Sequence, residues 1–231
     1  MKLLIISDIH GNLPALGAVM KAMSKVDKII CLGDIVGYFP YTNEVIEAIS
    51  SFDNLICVLG NHDHALLSDS ASTGSKSADM AIALYRKDIT RKNKRFLMEL
   101  PQSVECVLDG LNMFIFHGSP ANPINGREPF WENDYLGTGI YFFGHSHKPF
   151  YMRNSVKKRI VVNPGSCGFP RDGDPRPSYA LVDTAVPKVD YYRVEYCMET
   201  VVERCKEYGL PGSFWKSLVA GAWVSSKDSG G

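Results

Sequence analysis

The chain has 231 residues, of which 45% are hydrophobic, and its 25 basic residues are balanced by 25 acidic ones. This length and apolar content suffice for a substantial domain with a buried core. A zero net charge provides no long-range field to attract nucleic acid or an anionic membrane, so any affinity for an anion must arise locally.

The first sixty residues predict alternating strands and helices. Three short apolar runs predict buried strands: Leu3–Ser7, Lys28–Leu32 and Asn54–Leu59. A first helix is predicted from Leu13 to Met23, where apolar residues recur at helical spacing, and Asn12 is a suitable N-cap for it. Thr42–Ser51 predicts a second helix. Because continuously apolar strands that alternate with helices pair in parallel and are buried on both faces, this order indicates an α/β fold.

The rest of the chain predicts one more helical stretch and then mainly strands. Residues 75–99 predict helix. Ser103–Leu108 and Leu111–Phe116 predict a hairpin, because the Asp109-Gly110 sequence between them adopts positive φ angles at low cost. Further strands are expected at Ile140–Phe143, Phe150–Arg153, Arg159–Val162, Ser178–Val182 and Lys188–Val194. Closing helices are expected at Met198–Glu207 and Phe214–Ala220.

The sequence also predicts the domain organisation and the cellular location. No internal repeat or long linker interrupts the chain, so we expect a single domain over residues 1–224 with two sheets, and a disordered tail at 225–231. The first apolar run ends at Ile6, short of the ~7–15 apolar residues of an export signal, and no stretch approaches the ~20 of a membrane span. The six cysteines are scattered without a Cys-x-x-Cys pair. We therefore expect a cytoplasmic protein.

Polar side chains that can bind metal ions follow five of the predicted strands, at ends that contain glycine. These segments are Ser7-Asp8-Ile9-His10-Gly11, Leu32-Gly33-Asp34, Gly60-Asn61-His62-Asp63, His117-Gly118 and Gly144-His145-Ser146-His147. In open α/β sheets, ligands bind just beyond the carboxyl ends of the strands. We therefore expect these distant segments to converge on one crevice.

The spacing within the segments supports metal ligation. Asp8 and His10 are two residues apart, as are His145 and His147, and on an extended segment both members of such a pair project to the same side. Imidazole and carboxylate groups suit manganese, iron, zinc or nickel. Five of the six histidines lie in these strand-end segments, which argues against an incidental scatter of packed or surface histidines.

The ordered motifs Asp-x-His, Gly-Asp, Gly-Asn-His-Asp, His-Gly and Gly-His-x-His resemble the calcineurin-like metallophosphoesterase superfamily, and within it small phosphodiesterases of the YfcE type. The turn at residues 163–166 extends the resemblance to about residue 177. The resemblance implies a four-layer α/β/β/α sandwich. It also implies two divalent ions, one held by Asp8, His10, Asp34 and His147 and the other by Asp34, Asn61, His117 and His145.

The same resemblance implies a hydrolase that cleaves phosphodiester or phosphomonoester bonds, in which a hydroxide shared by the two ions attacks phosphorus in line. His62 would donate a proton to the leaving group, with Asp63 as a candidate to orient it. Manganese is the ion we expect first, with iron, zinc, nickel, cobalt and magnesium as alternatives. Arg171 is a candidate substrate-binding residue because a guanidinium suits bidentate recognition of phosphate. Tyr38 and Phe39 are candidates to line the mouth of the site, with packing within their loop as the equal alternative.

Several alternatives stay open on the sequence. The substrate could instead be a dinucleoside polyphosphate or a phosphoprotein, and a catalytically inactive scaffold of the same fold is the alternative outside enzymes. All seven ligand positions and His62 are filled by suitable residues, which favours an enzyme that acts on a small phosphate ester. The six basic residues from Arg86 to Arg95 are interpreted as a solvated helix face, so we expect no nucleic-acid partner and no membrane partner. His64 has no assigned role.

Overall fold

The computed structural model describes residues 1–23, 25–134 and 136–224. Its first sixty residues form the predicted order of strands and helices: β1 (Lys2–Ile6), α1 (Leu13–Ala22), β2 (Lys28–Cys31), α2 (Thr42–Ser50) and β3 (Leu55–Cys57). The three strands pair in parallel, as their apolar sequences predict. The Asn12 side chain caps α1 by accepting a hydrogen bond from the backbone N–H of Ala15 at 3.1 Å.

The following segment is more helical than the sequence predicts. It forms α3 (Asn61–Leu67), α4 (Lys76–Asp88) and α5 (Arg91–Glu99). The helical prediction over residues 75–99 is confirmed, but the stretch is divided into two helices because Ile89 and Thr90 adopt extended conformations. The Thr90 hydroxyl then caps α5 by accepting from the Asn93 N–H at 3.2 Å. Helix α3 is too short to leave a periodic signal in the sequence.

The second half of the chain follows the predicted pattern closely. Its elements are β4 (Ser103–Leu108), β5 (Leu111–Phe116), β6 (Gly139–Phe142), β7 (Pro149–Asn154), β8 (Arg159–Pro164), β9 (Ser178–Asp183), β10 (Lys188–Arg193), α6 (Met198–Glu207) and α7 (Gly212–Ala220). The β4–β5 hairpin is confirmed, since Asp109 and Gly110 have φ angles of 53° and 76°.

Within the described ranges, the ten strands form two five-stranded sheets. The first has the order β10-β9-β1-β2-β3 and the second the order β4-β5-β6-β8-β7. Each sheet contains three parallel strands, which are β1, β2 and β3 in the first and β5, β6 and β8 in the second. The segments that follow all of these strands except β8 carry the predicted metal ligands.

The hydrophobic core has three parts. One cluster fills the space between the sheets, with Ile5 and Ile30 facing Ile115 and Phe142. A second cluster lies between the first sheet and the helices. The third lies on the outer face of the second sheet and is aromatic. In the parts of 117–138 that are described, this face is covered by a loop rather than a helix, and the loop contributes Phe130.

This architecture confirms the predicted α/β sandwich with two sheets. A single domain over residues 1–224 stays a prediction, and the predicted tail at 225–231 lies outside the described residues. None of the helices described is of the length and apolar character required to span a bilayer.

Candidate metal centre

The predicted ligands come together beyond the strand ends, at the position where the two sheets meet. Groups of three ligand atoms, each group within 4.8 Å, are formed by Asp8, His10 and His147, by His10, Asp34 and His62, and by Asp34, His117 and His145. Asn61 joins the last of these, because its Oδ1 lies 3.1 Å from His117 Nε2. All seven predicted ligand positions therefore share one site.

The backbone conformation that brings these ligands together differs from the one that the sequence predicts. Asp8, His10, His145 and His147 have φ angles of 53°, 51°, 64° and 59°, so these pairs do not lie on extended segments. Left-handed residues turn the chain sharply, and non-glycine residues in this region cluster at functional sites. The premise that these pairs lie on extended segments is therefore wrong, but His145 and His147 both enter the site, where each joins a different group of ligands.

The first group is formed by Asp8, His10 and His147. His147 Nε2 lies 3.3 Å from Asp8 Oδ1 and 3.0 Å from His10 Nε2. The Oδ1 atom of Asp8 is buried and has no hydrogen-bond partner among the described residues. Burial raises the pKa of Asp8 to about 7. A buried carboxylate oxygen without a partner is costly, so this geometry favours a cation beside it.

Asp34 lies between the first group and the histidines His117 and His145, and it contacts both sides. Its Oδ2 is 3.6 Å from His10 Nε2 and 3.3 Å from His117 Nε2. Burial alone would raise the pKa of Asp34, but the neighbouring charges of His117 and His62 hold it well below its usual value. Burial alone would lower the pKa of His117, yet Asp34 raises it to about 9. A divalent ion at this position would have to displace the His117 proton.

Three of the histidines are held in the orientation that metal ligands require. The Nδ1 atoms of His10, His117 and His147 donate to the carbonyls of Val36 at 3.2 Å, Leu32 at 2.7 Å and Phe169 at 2.5 Å. This fixes the tautomer and directs each Nε2 into the site, as second partners of ligand histidines commonly do.

The donor set fits a metal ion. Burial, with the charge of His62, lowers the pKa of His10 well below its usual value, and burial with the charge of Arg171 does the same for His147. Both rings are then neutral, with bare Nε2 lone pairs that face each other at 3.0 Å. Two lone pairs at this distance repel one another unless a cation lies between or beside them.

His62 lies beside the ligands on helix α3. Its backbone N–H donates to Asp34 Oδ1 at 2.8 Å, its ring Nε2 is 3.9 Å from Asp34 Oδ2, and its buried Nδ1 has no hydrogen-bond partner among the described residues. Burial lowers the pKa of His62 to about 4, so the ring is neutral at pH 7. The expectation that Asp63 orients this ring is wrong, because the Asp63 carboxylate accepts from the N–H groups of Val36 and Gly60, each at 3.0 Å.

Replacing Asp63 with alanine is expected to lower the free energy of unfolding of the metal-free protein by about 2–5 kcal/mol, because two buried N–H groups lose their acceptor. Denaturant titration of chelator-treated protein measures this change. Asp53→Ala, which removes an exposed carboxylate, is the matched control and should change stability by less than about 0.5 kcal/mol. Equal effects from the two variants would contradict this role for Asp63.

Two glycines leave the space in which the ligands pack. A Cβ atom at Gly37, whose φ is 147°, would lie 2.6 Å from His10 Nδ1 and 2.8 Å from His62 Nδ1. A Cβ atom at Gly60 would lie 2.1 Å from the backbone nitrogen of Asp34. Any side chain at either position would displace the ligands.

The centre opens into a cleft of about 300 Å³. Arg171 and Tyr38 line it, and the Arg171 guanidinium donates to the Tyr38 hydroxyl at 3.1 Å. Phe39 does not line the cleft; it is fully buried in the core because its ring packs against Phe169. His64 is on helix α3 and does not line the cleft.

Several residues of the cleft escaped the sequence reasoning. They are Thr73, Gly74, Ser75, Arg127 and Trp223. Each lies outside the helices and strands and has no sequence motif around it, so the sequence gives no indication that it belongs to the site. Arg127 contacts a candidate ligand directly, because its Nε donates to His145 Nε2 at 2.7 Å.

The two-sheet sandwich and the Asp and His groups at its strand ends are typical of metallophosphoesterases. Residues 1–186 match the family model described as the calcineurin-like phosphoesterase superfamily domain, and the chain belongs to this superfamily. It is also 34% identical over 236 residues to the uncharacterized protein MJ0912 of Methanocaldococcus jannaschii, a match that covers 94% of this chain and 97% of the relative.

Solved structures agree with this assignment. A metallophosphoesterase from Sphaerobacter thermophilus is 33% identical and superposes with a TM-score of 0.84, covering 96% of this chain and 100% of that chain. YfcE, a phosphoesterase from E. coli, is 21% identical with a TM-score of 0.51 and covers 84% of this chain and 100% of its own. The second likeness is one of fold alone, and it confirms the predicted resemblance at that level.

Proposed function

We propose that this protein hydrolyses small phosphodiesters or phosphomonoesters with two divalent metal ions. The observation that carries the proposal is the position of Asp34, whose Oδ2 faces histidines from both ligand groups within 3.6 Å. Superfamily membership supports a hydrolase of phosphate esters. The complete set of ligands, together with His62 at the cleft, favours an enzyme over an inactive scaffold.

The residues divide into two sets of ligands that share Asp34. One ion would be held by Asp8, His10, Asp34 and His147, and the other by Asp34, Asn61, His117 and His145. Imidazole, carboxylate and amide oxygen together suit manganese, which we propose as the ion, and also suit iron, zinc, nickel or cobalt. When bound, two such cations would neutralise phosphoryl oxygens and acidify a water molecule.

The remaining groups would act on the substrate. Arg171 is half-buried at the cleft, and its guanidinium is positioned by the Tyr38 hydroxyl and by the Phe169 ring, 5.0 Å from its Cζ. It would bind phosphate oxygens of the substrate. His62 would pass a ring proton to the oxygen of the leaving group.

The cleft volume of about 300 Å³ suits a small molecule better than a folded partner. We propose a cytoplasmic location, which agrees with the free state of all six cysteines.

Chelator-treated protein tests the proposal. We expect it to be inactive, and to regain hydrolysis of bis-p-nitrophenyl phosphate or p-nitrophenyl phosphate when about two equivalents of Mn²⁺ are added. Cyclic nucleotides and diadenosine tetraphosphate belong in the same panel, because the fold does not select among phosphate esters. Protein that binds no transition metal and hydrolyses none of these compounds would contradict the proposed function.

A further inference from the structure

A second concavity of about 220 Å³ adjoins the metal cleft. It is lined by Gly126, Arg127, Gly144, His145, Ser146 and Arg171. Three of these residues, Arg127, His145 and Arg171, also line the cleft, so the two spaces are neighbours on either side of a candidate ligand. The superfamily assignment and the proposed reaction give this second space no role.

The side chain of Arg127 has a contact that metal binding would break. His145 Nδ1 faces the other ligands, 3.1 Å from His117 Nε2, while its Nε2 accepts from Arg127 at 2.7 Å. A neutral histidine that binds an ion through Nδ1 carries its proton on Nε2 and no longer accepts there. Arg127 must then release His145, and because this side chain is exposed it can turn to another anionic partner.

Arg171 also lacks an anionic partner. Its Nε is buried without a hydrogen-bond partner, and in the described part of the chain neither Arg127 nor Arg171 forms a salt bridge with a carboxylate. Two uncompensated guanidinium groups in one small concavity attract a polyvalent anion, and paired N–H donors of arginine match phosphate oxygens.

We propose that this concavity is a second anion subsite, in which Arg127 and Arg171 bind a phosphate group next to the one that is hydrolysed. The inference rests on the proposed function and narrows it to substrates that carry two phosphate groups close together. In the reaction, an oxygen from water forms a bond to the reacting phosphorus, the bond to the leaving oxygen breaks, and that oxygen takes a proton. The phosphate in the subsite is unchanged.

Non-hydrolysable phosphonates test the subsite by calorimetry on the Mn²⁺-loaded protein. Methylphosphonate probes one phosphate group, methylenebisphosphonate mimics two that share an anhydride oxygen, and propane-1,3-diyl bisphosphonate mimics two on separate carbons. We expect at least one bisphosphonate to bind more than about tenfold more tightly than methylphosphonate, and Arg127→Gln to remove most of that gain. The bisphosphonate that shows the gain identifies how the two phosphates are linked.

Two controls accompany the measurement. Arg95→Gln removes the same charge from the exposed face of helix α5 and should preserve the gain. Titration of Mn²⁺ into Arg127→Gln should show the same stoichiometry as the parent protein and an affinity at least as high, because arginine no longer competes for His145.

Equal affinities for the one-phosphate and two-phosphate probes would overturn the subsite, and so would an equal loss for both probes in Arg127→Gln. If the same samples bind Mn²⁺ and hydrolyse bis-p-nitrophenyl phosphate, these results contradict only the proposed subsite. If they do neither, the proposed function falls together with it.

Discussion

Replacing Asp34 with asparagine is expected to abolish the binding of both metal ions and to reduce ester hydrolysis by more than about 10³-fold. The Oδ2 atom of Asp34 lies within 3.6 Å of His10 Nε2 and His117 Nε2, which belong to different ligand groups. An amide NH₂ in its place would direct protons at both ions and remove a shared negative charge. The loss should therefore exceed that of any single terminal ligand.

The substitution keeps the local structure, which makes the experiment informative. Asp34 Oδ1 accepts from the His62 N–H at 2.8 Å, and the carbonyl oxygen of asparagine can accept the same hydrogen bond. Metal content measured by mass spectrometry and turnover of p-nitrophenyl phosphate should fall together while the circular dichroism spectrum is retained. The exposed Asp53→Asn is the matched control and should keep two ions and full turnover. Retained metal with near-normal turnover in Asp34→Asn would refute the bridging role.

The fold was largely predictable because its signals are local. Continuous apolar runs gave the central strands, and the Asp109-Gly110 turn gave the β4–β5 hairpin, since positive φ angles at two successive positions suit these residues. Helix α3 was not predictable, because its seven residues are held by tertiary contacts such as those of the Asp63 carboxylate. The same holds for the loop over the second sheet, whose Phe130 packs on residues far from it in sequence.

The site was predictable in its membership and less so in its geometry. Aspartate, histidine and asparagine at glycine-flanked strand ends signal ligands whatever their backbone conformation, so the seven positions could be named. The left-handed conformations of Asp8, His10, His145 and His147 depend on contacts across the sheet, such as the hydrogen bond from the Asp8 N–H to Gly33 O at 3.1 Å. A periodicity argument cannot detect such contacts.

The arginines show most clearly which roles cannot be predicted from the sequence. Arg127 and Arg171 both line the cleft, yet only Arg171 was a candidate from sequence, on the chemistry of its side chain alone. Arg86, the first residue of the basic stretch, has a structural role, because its guanidinium donates to the carbonyls of Ala65, Leu66 and Ser68. What an arginine binds is decided by the tertiary contacts at its position.

Replacing His62 with alanine is expected to leave both ions bound and to slow hydrolysis in a way that depends on the leaving group. A proton donor is needed most when the departing oxygen is strongly basic, so alkyl phosphate esters should lose about 10²–10⁴-fold in turnover. Nitrophenolate leaves without a proton at neutral pH, so p-nitrophenyl esters should lose far less. Turnover of a series of esters with graded leaving-group pKa values measures the difference as a change of slope.

The His62→Ala experiment also distinguishes between a proton donor and a metal ligand at this position. His62 Nε2 is 3.9 Å from Asp34 Oδ2, and His62 belongs to one of the three groups that could hold an ion. Loss of an ion from His62→Ala would make it a ligand, and an equal loss for all esters would exclude proton donation. His64→Ala is the matched control on the same helix, because His64 does not line the cleft and should keep the parent slope.

The neutral state of the His62 ring is compatible with this role. Burial lowers the pKa of His62 to about 4, and the charge of Arg171 adds to this effect. A phosphate anion in the cleft would compensate the charge of Arg171 and favour the protonated ring. The proton donor is then recruited by the substrate itself, so the slope change in His62→Ala should appear with every basic leaving group, whichever phosphate ester the protein hydrolyses.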